Sequence, residues 1–150
     1  MREEILGTVF TDETLLPRFR ADLIVFLPET QVSAALQLMD EQRYSQVVVQ
    51  DRGRLRLLSS EGIVRWLLDG GSHDAFTDAR IGDLLASEPP DSMVTFSGSN
   101  TIGEAMAALV DQPSLVAILL TATGNETEPP LGIITTWDLV DVVRAWTDES

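Results

Sequence analysis

An internal repeat constrains the fold of this chain more than any other feature. Residues 23–39, LIVFLPETQVSAALQLM, align without gaps on residues 93–109, MVTFSGSNTIGEAMAAL, at an offset of 70. In each copy an apolar stretch ends in a phenylalanine, Phe26 or Phe96, and a short polar turn follows. Two copies of one pattern predict two copies of one local structure.

Helices are predicted after both turns. Thr30 and Asn100 stand where a helix N-cap is expected, because the side chains of both types accept hydrogen bonds from free helical N–H groups. Apolar residues then recur at i, i+3, i+4 and i+7, which places them on one stripe of a helix. The stripes are Val32, Ala35, Leu36 and Met39 in the first copy and Ile102, Ala105, Met106 and Leu109 in the second.

The repeat continues beyond these helices. The segments SQVVVQ (45–50) and SLVAILL (114–120) correspond and are typical of strands, and each leads through a turn to a strand followed by a helix, at 56–67 and 132–143. The second hairpin is seven residues longer than the first, an insertion that loops tolerate. Each copy therefore predicts the order β-α-β-β-α.

We expect a mixed α/β (α+β) fold in which residues 1–150 form one module. The first repeat is predicted at 22–68 and the second at 93–146, with a connection at 69–92 that contains a short helix. A half of about 60 residues has little interior of its own, so the two repeats are expected to pack together about a pseudo-two-fold axis.

Two flanking segments complete the predicted organisation. ARIGDLLASE (79–88) predicts the short linker helix, which would pack Ile81, Leu84 and Leu85 on the repeats. EEILGTVFTDETLLPRF (3–19), which precedes the first repeat, is a looser counterpart of this linker segment, and we expect an N-terminal helix there.

Composition argues against catalysis and metal binding. The chain has no cysteine, and its single His73 lies in GGSHDAFTD, which reads as a loop without a partner for the imidazole. No metal site and no catalytic residue is predicted, and the protein is not expected to be an enzyme. Because no apolar run is long enough to cross a bilayer and MREEILGTVF lacks a secretory layout, we expect a cytoplasmic protein.

Charge argues against nucleic acid and membrane surfaces as partners. The net charge is −14, and all ten basic residues are arginines. Thirteen acidic residues against nine arginines leave −4 over residues 1–80, whereas eleven against one leave −10 over residues 81–150. Such a surface repels phosphate backbones and anionic lipids.

A polar cluster stands where the last predicted strand meets the last helix. Gly132, Ile133 and Ile134 precede Thr135 and Thr136, and Trp137 and Asp138 follow in the sequence GIITTWD. With the doubled β-α-β-β-α order, the linker IGDLLASE and the turn and helix SNTIGEAM, this Gly-apolar-apolar-Thr-x-x-Asp motif resembles a pair of CBS domains, also called a Bateman module. The chain is similar to the stand-alone two-CBS proteins of bacteria, and the resemblance covers nearly all of it.

The resemblance implies an adenosine-containing ligand such as AMP, ADP, ATP, S-adenosylmethionine or a cyclic dinucleotide, bound in a cleft between the repeats. It implies that Asp138 takes the ribose hydroxyls and that Thr135, with Thr136 beside it, contacts ribose or phosphate. The base would lie between the backbone near Ile133 and the strand of Val94 and Phe96, with Ser97 and Asn100 nearby. No cofactor is required, and Mg²⁺ could accompany the nucleotide.

Elementary chemistry is consistent with this assignment and with a simpler one. A carboxylate can accept hydrogen bonds from both ribose hydroxyls, and the free N–H groups of a helix start attract phosphate. However, Thr135 or Thr136 could simply cap the last helix, with Asp138 placed in its first turn by the helix dipole. The two roles are compatible, and the sequence leaves both open.

The first repeat departs from the motif. Arg56, Ser59 and Gly62 stand where the second repeat has Gly132, Thr135 and Asp138, so the first site lacks the ribose carboxylate and is predicted to be degenerate. Phosphate neutralisation would fall to arginines of the first half, and Arg20, Arg43 and Arg56 are the candidates.

Partner binding is the competing function. The resemblance to CBS pairs implies a homodimer that forms through helices. Val140, Val143 and Trp146 give the last helix an apolar stripe for such an interface. A scaffold without ligand, which dimerises or binds an unknown protein partner, is therefore the alternative to a nucleotide sensor.

Overall fold

The computed structural model describes residues 11–149, and they belong to two compact units. The first unit consists of residues 23–92. The second unit consists of residues 93–149 together with the N-terminal segment 11–22.

Each unit contains the predicted β-α-β-β-α order. The first unit comprises β1 (Val25–Phe26), α1 (Val32–Gln42), β2 (Gln46–Asp51), β3 (Arg54–Ser59), α2 (Ser60–Leu68), α3 (His73–Asp78) and α4 (Ile81–Leu85). The second unit comprises β4 (Met93–Ser97), α5 (Ile102–Asp111), β5 (Ala117–Thr121), β6 (Gly132–Ile134) and α6 (Thr136–Glu149). None of the helices described between residues 11 and 149 is long and apolar enough to cross a membrane.

A three-stranded mixed sheet forms the centre of each unit. In the first unit β2 pairs in parallel with β1 and antiparallel with β3, and in the second unit β5 pairs in the same way with β4 and β6. Every residue of the central strand β5 is buried, which explains its continuous apolar sequence AILL. The predicted mixed α+β fold is confirmed.

The apolar stripes predicted from the sequence form two separate cores. Val32 and Ala35 of α1 are buried with Val47 and Val49 of β2 in the first unit. Ile102 and Ala105 of α5 are buried with residues of β5 and β6 in the second. The core of the second unit also contains Leu15, which is fully buried although it precedes the first repeat.

The helix caps lie one residue later than predicted. Gln31, not Thr30, is the N-cap of α1, and its side chain makes no capping bond. Thr101, not Asn100, caps α5: its hydroxyl accepts from the Glu104 N–H, and the Glu104 carboxylate accepts from the Thr101 N–H. Asn100 instead accepts from the Ser97 N–H and so closes the turn before the helix.

The capping box of α5 predicts a pH-dependent contribution to stability. The Thr101 N–H, followed by weaker bonds from Asn100 and the Thr101 hydroxyl, lowers the pKa of Glu104 below its usual 4.5. A lowered pKa in the folded state stabilises the protein above about pH 4.5, and this contribution is lost as the pH falls through the folded pKa. Glu104→Gln should therefore lower Tm at pH 7 and have a smaller effect near pH 3. Thermal unfolding at both pH values tests this, with the exposed Glu41→Gln as control, and an equal effect of Glu104→Gln at both would contradict it.

The linker contains one more helix than predicted. Residues 81–85 form the expected short helix α4, which buries Ile81, Leu84 and Leu85. However, the segment read as a loop is helical from His73 to Asp78, because Ser72 caps α3 by accepting from the Ala75 N–H. His73 itself is exposed on this helix.

The predicted N-terminal helix (3–19) is helical at Thr11 and Asp12 within its described part. Residues 3–10 lie outside the described range, and residues 13–20 consist of turns, bends and isolated bridges. The helix seen at residues 11–12 therefore does not continue to Phe19, where the predicted segment ends.

The N-terminal segment takes the place in the second unit that the linker takes in the first. Backbone N–H groups of Ile102, Leu15 and Leu16 donate to the carbonyls of Glu13, Asn100 and Gly98. In the first unit, those of Val32, Ile81 and Gly82 donate to the carbonyls of Ala79, Thr30 and Pro28. The pairs correspond one to one, so the N-terminal segment is a structural counterpart of the linker.

Candidate functional site

The polar cluster of the closing motif lies where β6 ends and α6 begins. Thr135 directly follows β6, and Asp138 lies in the first turn of α6. The Thr135 N–H donates to Asp138 Oδ2 at 2.7 Å, and the Thr135 hydroxyl donates to the same oxygen at 3.0 Å. Both side chains are partly buried.

These bonds support the capping role without using up the carboxylate. The Thr135 N–H is one of the groups that a helix start leaves unpaired, and Asp138 satisfies it. An ionised carboxylate has about four acceptor positions. Thr135 uses two of them, both on Oδ2, and Oδ1 accepts no hydrogen bond from residues 11–149. The group is therefore fixed in position and still able to accept two donors from a ligand.

Gly132 is required by the chain's own backbone. A Cβ at this position would overlap the carbonyl oxygen of Phe19 and come within 3.0 Å of its carbonyl carbon. The N-terminal segment runs antiparallel to β6 here, with a bridge between Arg20 and Gly132, and the Ala21 N–H donates to the Leu131 carbonyl at 3.0 Å. The motif glycine thus admits residues 19–21 to the edge of the second sheet.

Arg20 is the predicted phosphate contact that the structure brings into the same unit as Asp138. Its side chain is exposed. Arg18 is paired with Glu13 at 3.1 Å and Arg144 with Asp141 at 2.9 Å, whereas Arg20 has no ion pair among the residues described in the second unit. The charge of Arg20 is therefore available beside β6.

The strand predicted to flank the base is β4, the edge strand opposite β6. Val94 and Phe96 are half-buried and pack against the core of the second unit. Ile133 of β6 is also partly exposed. Ser97 and Asn100 hold the turn that follows β4: the Ser97 N–H donates to Asn100 Oδ1 at 2.9 Å, and the Ser97 and Ser99 hydroxyls lie 2.8 Å apart.

Thr136 and Trp137 of the motif point to solvent. Both are exposed, and 73% of Trp137 is accessible. Thr135 therefore carries the motif's inward hydroxyl, and Trp137 can serve as a fluorescent reporter next to the site.

The loop between β5 and β6 contacts β4, and the sequence did not predict this contact. The Thr95 hydroxyl donates to the Gly124 carbonyl at 2.7 Å, and Gly124 has a positive φ of 86°. Glu128 fixes the loop by accepting the Thr123 N–H and hydroxyl and the Asn125 N–H, and the Thr123 N–H contributes most to lowering the pKa of this carboxyl. The polar sequence TATGNETEPP predicted a loop but gave no signal of its contact with β4.

In the first unit, Arg56 and Ser59 of the degenerate motif form hydrogen bonds with other residues of the same unit. The buried Ser59 caps α2 by accepting the Gly62 N–H at 3.1 Å. Arg56 donates to the Leu85 carbonyl at 3.2 Å and lies 3.5 Å from Asp51. Arg43 ends α1 in a left-handed conformation with a φ of 57°.

The described residues offer no metal centre. Between residues 11 and 149 no group of three or more His, Cys, Asp or Glu side chains is placed to hold a metal ion. Asp138 therefore has no partner ligands of these types for a resident ion.

Comparison with known families agrees with this architecture. A protein-family model described as "CBS domain" matches residues 19–68. Residues 19–68 are therefore assigned to the CBS domain family. Solved structures of CBS-domain proteins share the fold over both units, which agrees with the tandem CBS module predicted from the sequence.

Three solved structures illustrate the fold. The CBS domain of a CBS-domain-containing membrane protein from Sphaerobacter thermophilus is 14% identical over 94% of each chain, with a TM-score of 0.71. CBSX2 in complex with AMP is 20% identical over 90% of this chain and 98% of its own, with a TM-score of 0.66. Hypoxic Response Protein I with two coordinated zinc ions is 18% identical over 85% of this chain and 97% of its own, with a TM-score of 0.63. No curated protein matches the CBS module in sequence.

Proposed function

We propose that this CBS module is a regulatory unit that binds an adenosine-containing nucleotide at Thr135 and Asp138 and signals to a protein partner. One observation carries the proposal: Asp138 is held by two bonds from Thr135, and its Oδ1 atom remains free to accept ligand hydroxyls. The AMP complex of CBSX2, which shares the fold, supports a nucleotide as the ligand.

The ribose would bind through its two hydroxyl groups. Asp138 offers the acceptors, and because they are charged, each bond contributes roughly 1.5–3 kcal/mol when enclosed. The Thr135 hydroxyl donates to Asp138, so its lone pairs remain for a ligand donor. The backbone beside Ile133 and the strand of Val94 and Phe96 would enclose the base. Ser97 and Asn100 would shape the turn next to it.

The phosphate would be neutralised by Arg20. It lies beside Gly132 in the chain segment that pairs with β6, and it is not committed to a described carboxylate. Arg43 and Arg56 belong to the first unit, and Arg56 is already bonded to Asp51 and Leu85. With a net charge of −14, and with Arg20 as the one predicted phosphate contact in the second unit, AMP or a nucleotide accompanied by Mg²⁺ is favoured over free ATP.

Regulation would follow from a difference in ligand affinity between two conformations. CBS domains are generally regulatory modules, and a ligand shifts a conformational equilibrium only as far as its affinities for the two states differ. The nucleotide would stabilise one arrangement and so change the surface that a partner binds.

A ligand panel tests the proposal. Purified protein is heated with AMP, ADP, ATP, S-adenosylmethionine and cyclic dinucleotides, with and without Mg²⁺, while the tryptophan fluorescence, to which Trp137 contributes, is followed. A ligand at 100 times its Kd stabilises the folded state by about 2.7 kcal/mol. For a chain of this size, that raises Tm by roughly 5–10 °C. The absence of a shift with every ligand would contradict the proposal.

A scaffold without ligand is the second candidate, because α6 has an exposed apolar stripe. Trp137, Val140 and Val143 are 73%, 41% and 39% exposed, whereas Trp146 of the predicted stripe is only partly exposed. Such a face suits a homodimer or another protein partner. A dimeric mass that is lost in Val140→Glu, together with no ligand shift, would favour this function.

A further inference from the structure

The first repeat departs from the nucleotide motif at two positions, and both departures contact the linker. Arg56 stands where the second repeat has Gly132, and its guanidinium donates to the Leu85 carbonyl at 3.2 Å. Gly62 stands where the second repeat has Asp138, and a Cβ on it would overlap Oε2 of Glu88. Leu85 and Glu88 both belong to the end of the linker, so the two substitutions have one structural explanation.

Glu88 makes the bond that Asp138 makes in the second repeat. The Ser59 N–H donates to Glu88 Oε2 at 2.9 Å, just as the Thr135 N–H donates to Asp138 Oδ2 at 2.7 Å. Ser59 and Thr135 are equivalent motif residues, each directly before the last helix of its repeat. A carboxylate is therefore present at the same backbone group in both repeats, although in the first it comes from 29 residues away.

The two carboxylates differ in what they leave for a ligand. In the second repeat, Asp138 is partly exposed and Oδ1 is free. In the first repeat, Glu88 Oε1 is buried and has no hydrogen-bond partner among the described residues. Glu88 thus fills the space that an aspartate side chain at position 62 would occupy, and its Oε1 atom is not accessible to a ligand.

We propose that Glu88 is an internal substitute for the missing motif aspartate that closes the first site, so that the module takes its nucleotide at the second repeat alone. Glu88 is in this sense the residue that selects between the two sites. The statement about the nucleotide depends on the proposed function, whereas the closure of the first site by Glu88 can be tested without any ligand.

A double-mutant cycle tests the closure. Gly62→Ala should lower Tm by about 2–4 °C, since the new methyl group displaces Glu88. In a Glu88→Ala background the same substitution should cost less or raise Tm, because alanine favours a helix more than glycine does and the overlapping carboxylate is gone. The exposed Glu41→Ala serves as the control background, in which Gly62→Ala should keep its full effect. Equal effects of Gly62→Ala in all backgrounds would overturn the proposal.

Calorimetric titration with AMP tests the selection between sites. One AMP per chain is expected for the unmodified protein, and an affinity for AMP that is roughly 10–100-fold lower is expected for Asp138→Asn. Two AMP per chain, or one AMP bound by Asp138→Asn with unchanged affinity, would overturn the proposal. If AMP does not bind at all, the proposed function fails, and the double-mutant cycle still decides whether Glu88 fills the first site.

Discussion

Asp138→Asn is expected to weaken nucleotide binding by roughly 10–100-fold while the protein remains folded. Asparagine keeps an oxygen that can accept the Thr135 N–H, so the start of α6 stays capped. It loses the negative charge, and a hydrogen bond to a charged group is stronger than a neutral one by an amount that corresponds to such a factor. The substitution therefore separates the ligand role of Asp138 from its capping role, which Asp138→Ala would remove together.

Asp141→Asn is the matched control for this variant. It makes the same change in charge one turn further along α6, where Asp141 is exposed and paired only with Arg144 among the described residues. Exposed ion pairs contribute about 0–1 kcal/mol to stability. Calorimetric titration of both variants should show a loss of affinity for Asp138→Asn alone, whereas similar affinities would assign Asp138 to capping only.

Gly132→Ala is expected to lower the free energy of unfolding by about 1–3 kcal/mol, the usual cost of overpacking. The added Cβ would overlap a backbone carbonyl of Phe19, and backbone cannot swing aside as a long side chain can. Because residues 19–21 pair with Leu131 and Gly132, the N-terminal segment should detach first. Exposed Arg18 and Arg20 would then be cut more rapidly by trypsin.

Gly103→Ala is the control for the glycine substitution. Its added Cβ would lie 3.1 Å from the Thr11 carbonyl oxygen, a contact that a shift of a few tenths of an ångström relieves. Alanine also favours α5 more than glycine does. Thermal unfolding and timed trypsin digestion should leave Gly103→Ala close to the unmodified protein. Equal Tm and equal digestion rates for both variants would show that Gly132 is not needed for the approach of Phe19.

The order of elements was predictable because its signals are local. The apolar spacing after Phe26 and Phe96 indicates amphipathic helices, and the buried runs VVV and AILL indicate central strands. The cap positions were wrong by one residue because two polar residues compete at the start of α5. Asn100 closes the turn, and Thr101 forms the capping box with Glu104.

The candidate site was only partly predictable because some of its contacts join segments that are far apart in the sequence. The bond between Thr135 and Asp138 spans three residues, and the motif itself suggests it. The approach of Phe19 to Gly132 and of Glu88 to Ser59 joins segments far apart in the chain, which leave no periodic pattern. The sequence likewise does not show which arginines form hydrogen bonds within the protein. It therefore could not distinguish the exposed Arg20 from Arg56, which is bonded to the Leu85 carbonyl.

Calorimetric titration of AMP into the unmodified protein and into Asp138→Asn tests the central claim most directly. The account predicts a saturable heat with one AMP per chain for the unmodified protein and a drop in affinity of roughly 10–100-fold for the variant, with nearly unchanged Tm in the absence of AMP. Equal affinities in the two proteins, or no binding to a folded unmodified protein, would contradict it.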